Sequence, residues 1–129
     1  MNILLLGYGK MGKLIGQLAE SRGHSIVGKI NIENVKDLDS LDPDTIDVAI
    51  EFSQPEAAVE NIKWAIKRGI SVVSGTTGWL DQKPEIEQLT LNNDGAFFYA
   101  SNYSIGVNIF FKVNEFLAKL MNETTGYSS

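Results

Sequence analysis

The most constraining feature of this chain is a six-residue turn, Gly7-Tyr8-Gly9-Lys10-Met11-Gly12, directly after the apolar run Ile3-Leu4-Leu5-Leu6. A short apolar run that ends in glycine reads as a buried parallel strand over residues 2–6. From Lys10 to Arg22 the apolar residues Met11, Leu14, Ile15 and Leu18 recur at helical spacing, and Gly23 follows as a stop signal. In a strand that turns through such glycines into a helix, Gly7 makes the tight turn and Gly9 lets the backbone approach a pyrophosphate. Gly12 lets the helix pack close to the sheet. The first helical amides and the positive end of the helix dipole then face that anion. The alternative for the same glycines is a turn kept only for tight packing.

The rest of the chain keeps switching period. Residues 25–30 read as a second strand, and the polar, acidic stretch 33–45 as loop or short irregular helix. Asp47 to Phe52 reads as a third strand. Ser53-Gln54-Pro55-Glu56 then suggests a capping box opening a helix whose buried stripe is Ala57, Ala58, Ile62, Ala65 and Ile66, ended by Gly69. Residues 70–74 read as a fourth strand, 81–92 as a polar helix and 96–99 as a fifth strand. Ile109, Phe110, Val113, Phe116, Leu117 and Leu120 mark a last amphipathic helix. Such alternation predicts an α/β fold of the Rossmann type, a doubly wound parallel sheet in a three-layer α/β/α sandwich, as one domain over residues 1–129. The polar tail 122–129 reads like a chain cut at a domain boundary.

Composition narrows the function. With 129 residues, 43% hydrophobic and 21% charged, the chain can bury a sizeable core and is not of disordered type. A net charge of −5 argues against nucleic-acid or anionic-membrane partners. It leaves room for an anionic cofactor held by backbone amides. The absence of cysteine excludes disulfides, Cys-ligated zinc and thiol nucleophiles. The opening apolar run is too short for a signal peptide or a membrane span, so a cytoplasmic protein is expected.

Three further segments follow strand ends, where ligands bind in such sheets. Asn31 takes the place at the end of the second strand that often carries an acid for the ribose hydroxyls. Glu33 would share its face by strand alternation, and no Arg follows. Asn31 equally suits an ordinary turn, and NADH and NADPH both stay open. Ser74-Gly75-Thr76-Thr77-Gly78-Trp79 puts small residues where amides could approach a flat ring, or makes a plain glycine turn. In Ala100-Ser101-Asn102-Tyr103-Ser104-Ile105-Gly106-Val107-Asn108, Asn and Ser could bond a nicotinamide carboxamide and Tyr103 could wall its ring. Ser104 or Asn108 could equally cap the last helix. The single histidine, His24, falls at the opposite edge of the sheet from the expected ligand crevice, too far for a general base. Glu51 reads as a polar strand-end residue and Trp64 as packing.

Taken together, Gly-Tyr-Gly-Lys-Met-Gly at 7–12, Glu-Phe-Ser-Gln-Pro at 51–55, Gly-Thr-Thr-Gly at 75–78 and Ser-Asn-Tyr-Ser-Ile-Gly-Val-Asn at 101–108 resemble the dihydrodipicolinate reductase family of the lysine pathway. The resemblance covers essentially the whole chain. It implies that Gly7, Tyr8, Gly9, Lys10, Met11 and Gly12 bind pyrophosphate, with Asn31 by the adenosine ribose and Phe52 in the same site. It implies that Gly75, Thr76 and Thr77 line the nicotinamide ribose and ring. Ala100, Ser101, Asn102 and Tyr103 would form the loop near the nicotinamide. The family usually carries an acid where Asn31 stands. It also continues into a substrate domain with a His-His-x-x-Lys-x-Asp-x-Pro-Ser-Gly-Thr motif, which supplies the acid and a tetramer interface. None of that motif occurs here. The expectation is therefore a chain that binds NADH or NADPH and carries no catalytic residue or metal. Reduction of the dihydrodipicolinate-type ring, and a homotetramer, would need the rest of the protein. The rival expectations are a freestanding redox-sensing module and the cofactor domain of another dehydrogenase, such as a homoserine dehydrogenase relative.

Overall fold

Strand β1 (Asn2–Leu6) is buried almost throughout, and each of its neighbours runs parallel to it. β2 (Ser25–Ile30) lies on one side and β3 (Val48–Glu51) on the other, followed by β4 (Ser71–Ser74) and β5 (Phe97–Tyr99), in the order β2-β1-β3-β4-β5. The structure is a computed structural model that describes residues 1–99 together with Glu115, Phe116 and Lys119. The last-helix residues other than these three, and the segment 100–108, lie outside the described residues.

Strand alternation sorts the core into two clusters, one on each face of the sheet. Leu4, Leu6, Ala49 and Val72 point to the face covered by helices α2 (Pro55–Lys67) and α3 (Lys83–Asn92). Ile3, Leu5, Val48, Ile50 and Val73 point to the other, where they meet Ile15 and Ala19 of helix α1 (Lys10–Ser21). Phe116, itself helical, packs on this second face, its ring 5.9 Å from that of Phe98. The result is the expected three-layer α/β/α arrangement of a doubly wound parallel sheet.

Helices α1 and α2 stop in the same way. Gly23 and Gly69 adopt positive φ (85° and 78°), and the amide one residue further on reaches back to Ala19 and Ala65. These are Schellman closures, which satisfy carbonyls that would otherwise be orphaned. Two local expectations are corrected. Leu14 is 41% exposed, and α1 instead buries Gly12, Ile15, Gly16 and Ala19. The Ser53–Glu56 capping box does not form, because the Ser53 hydroxyl donates to Glu51 and α2 begins at Pro55 with Gln54 as its cap residue. The acidic stretch after β2 folds as two 3-10 segments, Ile32–Ser40 and Pro43–Thr45.

Candidate functional site

The strand order reverses at β1, and a crevice opens there beyond the carboxyl ends of the strands, as such topology requires. It holds a cavity of about 520 Å³, in the range of small-molecule sites. Gly7 to Met11 form one wall, Ile30 to Glu33 with Val35 a second, and Phe52 to Gln54 with Ala57 and Asn61 of α2 a third.

The glycine turn is built by close contacts. Gly7 has φ +106°, and its amide donates to the Ile30 carbonyl at 2.7 Å. A Cβ there would stand 1.9 Å from the Phe52 carbonyl oxygen, so no side chain fits. A Cβ at Gly12 would meet the Gly7 carbonyl oxygen at 2.4 Å, so Gly12 closes the turn itself. The near approach of helix to sheet that spacing assigns to Gly12 falls on Gly16, whose Cβ would lie 3.3 Å from Leu5 Cδ1. Gly9 differs from these, for a Cβ on it would touch nothing within 4 Å. Gly9 is also the N-cap of α1, with no side-chain cap and no acid in the first turn. The first amides of α1 thus open towards the cavity without a side-chain acceptor, the arrangement in which a helix N-terminus takes an anion. Tyr8 is half-buried beneath two ammonium groups, with Lys29 at 5.1 Å and Lys13 at 5.9 Å from its ring centroid.

Asn31 lines the cavity, but its side-chain oxygen already accepts from the amides of Glu33 (2.9 Å) and Asn34 (3.1 Å), capping the first 3-10 segment. Only its NH₂ remains for a ligand. Glu33 also lines the cavity. It does so from the first turn of that helix and not by strand alternation, since β2 ends at Ile30.

Phe52 joins the two halves of the crevice. Its ring occupies the space a Cβ on Gly75 would need, with Cε1 and Cζ at 2.2 Å. Gly75, Thr76 and Thr77 therefore lie behind Phe52, apart from the cavity that gathers Gly7 to Met11, Asn31 and Phe52. Thr76 is buried, and its hydroxyl accepts from the Ser53 amide (2.8 Å) and donates to Glu51 (2.6 Å). Its carbonyl accepts from the Trp79 indole at 2.6 Å. Thr77 is exposed. Ala100, Ser101, Asn102 and Tyr103 lie outside the described residues.

Glu51, the last residue of β3, is fully buried. Its carboxylate accepts from the Ser53 amide (2.9 Å), the Ser53 and Thr76 hydroxyls, and the Ser74 hydroxyl (2.7 Å). The sequence signal was present: an acid closing an apolar strand, with hydroxyl residues just after it and at the end of the next strand. Asn61, which the sequence reading does not single out, is also buried on α2, where it interrupts the apolar stripe Ala58, Ile62, Ala65 with an amide. His24 sits where expected, before β2, with its Nδ1 accepting from the N-terminal ammonium at 3.1 Å. Partial burial, then that ammonium and Arg22, lower its pKa. Among the described residues, no group of three or more His, Asp or Glu side chains could hold a metal, and no helix is long and apolar enough to cross a membrane.

The fold and the glycine turn define a Rossmann-type domain of the kind dehydrogenases carry. Solved structures agree: the putative homoserine dehydrogenase of Archaeoglobus fulgidus matches with a TM-score of 0.59 at 18% identity over 77% of this chain and 42% of its own. A hyperthermophilic archaeal homoserine dehydrogenase in complex with NADPH matches at 0.57 and 18% identity, over 78% of this chain and 43% of its own. At such identity the likeness is one of fold alone. Sequence is more specific. The family profile described as "Dihydrodipicolinate reductase, N-terminus" matches residues 1–103. The chain belongs to the dihydrodipicolinate reductase family. The 4-hydroxy-tetrahydrodipicolinate reductase of Christiangramia forsetii is 49% identical over 130 residues, 99% of this chain and 53% of that protein. The one from Methanocaldococcus jannaschii is 40% identical over 118 residues, 88% of this chain and 41% of that protein. The chain thus spans about half the length, or less, of these curated relatives.

Proposed function

We propose that this chain binds NADH or NADPH in the crevice at the start of α1, as the cofactor half of a cytoplasmic 4-hydroxy-tetrahydrodipicolinate reductase in the route to lysine. The observation that carries this is the open α1 N-terminus over the cavity. Its amides have no side-chain cap, and Gly9 leaves free space where phosphate oxygens would come. A bound dinucleotide would supply a hydride from its nicotinamide. The chain's own residues do the holding. The turn Gly7 to Gly12 takes the pyrophosphate, and the Asn31 NH₂ and the Glu33 carboxylate face the adenosine ribose. Phe52, backed by Gly75, walls the path towards the nicotinamide, for which Thr76, Thr77 and the segment Ala100 to Tyr103 supply the backbone. Thr76 acts through its backbone because its hydroxyl is spent on Glu51.

Binding of the dihydrodipicolinate-type ring, protonation after hydride transfer and homotetramer assembly belong, on this proposal, to the portion of the relatives that this chain does not span. A substrate must be both held and protonated for reduction to proceed. The chain alone is therefore expected to bind cofactor without turnover.

Fluorescence titration of the purified chain with NADH and with NADPH tests the proposal. Saturable binding of at least one supports it. No binding of either at millimolar concentration, by a chain shown to be folded by circular dichroism, overturns it.

A further inference from the structure

Glu51 closes β3 and is fully buried, yet it stands outside the cavity that its neighbours Phe52, Ser53 and Gln54 line. Burying a carboxylate is costly unless donors surround it. Here it accepts from the Ser53 amide and from the hydroxyls of Ser53, Ser74 and Thr76. Apolar residues of matching shape in place of the acid and its hydroxyls would hold the core about as well. What they would not give is direction, because charge-assisted hydrogen bonds fix the positions of their donors and apolar contact does not.

The place of this network says what it fixes. The backbone ladder between β3 and β4 ends at the pair Glu51 and Ser74, with one last bond from the Gly75 amide to the Glu51 carbonyl at 2.9 Å. Beyond it the strands part to open the crevice, and side chains take over the link. The Ser53 amide donates to the Thr76 hydroxyl at 2.8 Å, and both residues are bound to one oxygen, Glu51 Oε2. Phe52 is wedged in between. Its carbonyl faces Gly7 and its ring faces Gly75, so closely that neither glycine could carry a Cβ. Thr76 is held once more through its carbonyl, by the Trp79 indole, and Thr77 beside it is exposed. Asn31 and Glu33 line a different wall of the cavity and are bonded within the 3-10 segment instead.

We infer that Glu51 is a positioning residue for the nicotinamide end of the cofactor. It touches no ligand itself. Its carboxylate joins Ser53 to Thr76, and so fixes the Phe52 ring and the backbone of Thr76 and Thr77 where the nicotinamide riboside would meet them. A small shift there loosens contacts at one end of the dinucleotide. It leaves the glycine turn in place, since the Gly7 amide is tied to the Ile30 carbonyl of β2. This assignment rests on the dinucleotide proposal above and adds to it a residue outside the cavity.

The test compares NADH with ADP, which carries the adenosine and the diphosphate but no nicotinamide riboside. Calorimetric titration of the unaltered chain should show NADH bound more tightly. Thr76→Val keeps the shape of the side chain and removes the hydroxyl that links Ser53 to Glu51. It should weaken NADH about fivefold, the scale of one hydrogen bond, and change ADP by less than about twofold. Glu51→Ala should separate the two ligands at least as far. Glu51→Gln, whose oxygen still accepts from Ser53 and Thr76, should bind both within about twofold of the parent. A merely structural role would leave the affinities of the folded chain alone or lower both together. Parallel changes for NADH and ADP in Thr76→Val, or none, therefore overturn the assignment, as does a Glu51→Gln chain that loses NADH as Glu51→Ala does. An unaltered chain that binds ADP as tightly as NADH overturns it too, since the nicotinamide end then has no contact to lose. Should Glu51→Ala fail to fold, Thr76→Val decides. A folded chain that binds none of NADH, NADPH and ADP defeats the cofactor proposal and this one with it. The other adverse outcomes defeat this one alone.

Discussion

A Cβ at Gly7 would stand 1.9 Å from a backbone oxygen, whereas one at Gly9, two residues on, would touch nothing. The two glycines therefore answer to different constraints, one from the fold and one from the ligand. Gly7→Ala adds a clash and a left-handed backbone strain, and should cost about 3 kcal/mol or prevent folding, as read by urea denaturation. Gly9, at φ −86°, accepts alanine without strain. Gly9→Ala should unfold within roughly 1 kcal/mol of the parent yet bind dinucleotide about tenfold more weakly, since its methyl occupies the phosphate approach. An unchanged affinity would make the glycine turn a packing device only. Glu33 permits a finer test. Its negative charge on the cavity wall disfavours a 2′-phosphate, so Glu33→Gln should improve NADPH binding more than NADH, by roughly threefold or more. Equal changes in both affinities would place Glu33 away from the ribose.

At the scale of elements, the Glu51 carboxylate ties the end of β3 to the end of β4 and to the turn that opens α2. Replacing it with alanine leaves the Ser74 and Thr76 hydroxyls without their acceptor in a buried site. Glu51→Ala should destabilise by about 3–5 kcal/mol, the sum of a few unsatisfied buried groups. Glu51→Gln should cost markedly less, because an amide oxygen still accepts from Ser53 and the hydroxyls can rotate to accept from its NH₂. Similar losses in both variants, by chemical denaturation, would show that packing and not hydrogen bonding matters there. The strands, α1, α2 and the region of α3 were legible because a parallel sheet buried on both faces writes apolar runs into its strands and a stripe into its helices. The start of α2 departs from the capping-box expectation for a physical reason. Ser53 has the right spacing to cap, but a buried carboxylate two residues earlier competes for its hydroxyl and wins.

For the molecule as a whole, ligand and proton should both register in global stability. NADH at about one hundred times its dissociation constant should raise stability by about 2.7 kcal/mol, visible as a shifted melt. His24 gives the pH term. Its folded pKa lies below the ordinary value of 6.5, from partial burial first and the neighbouring N-terminal ammonium and Arg22 next. Below the ordinary value the unfolded chain takes up a proton that the folded chain resists. The contribution is therefore fully present above that value and falls as pH drops through it towards the folded pKa. Comparison of His24→Gln with the parent should show the parent losing more stability between neutral and mildly acidic pH. Parallel curves would sink the idea.

The order of strands and helices, the turn that opens α1 and membership of the dihydrodipicolinate reductase family were all carried by local pattern. Periodicity and a handful of glycines are properties of neighbours along the chain. What the tertiary structure decided is which side chains remain free. Asn31 and Asn61 look alike in sequence, each one amide near a strand end or on a helix stripe. Folding spends the oxygen of Asn31 on two backbone amides and places Asn61 in the cavity wall. The Thr76 hydroxyl is likewise spent on an internal bond with Glu51. Hydrogen-bond competition between segments some 20 to 30 residues apart is invisible to spacing, because it depends on distances that exist only once the sheet has assembled.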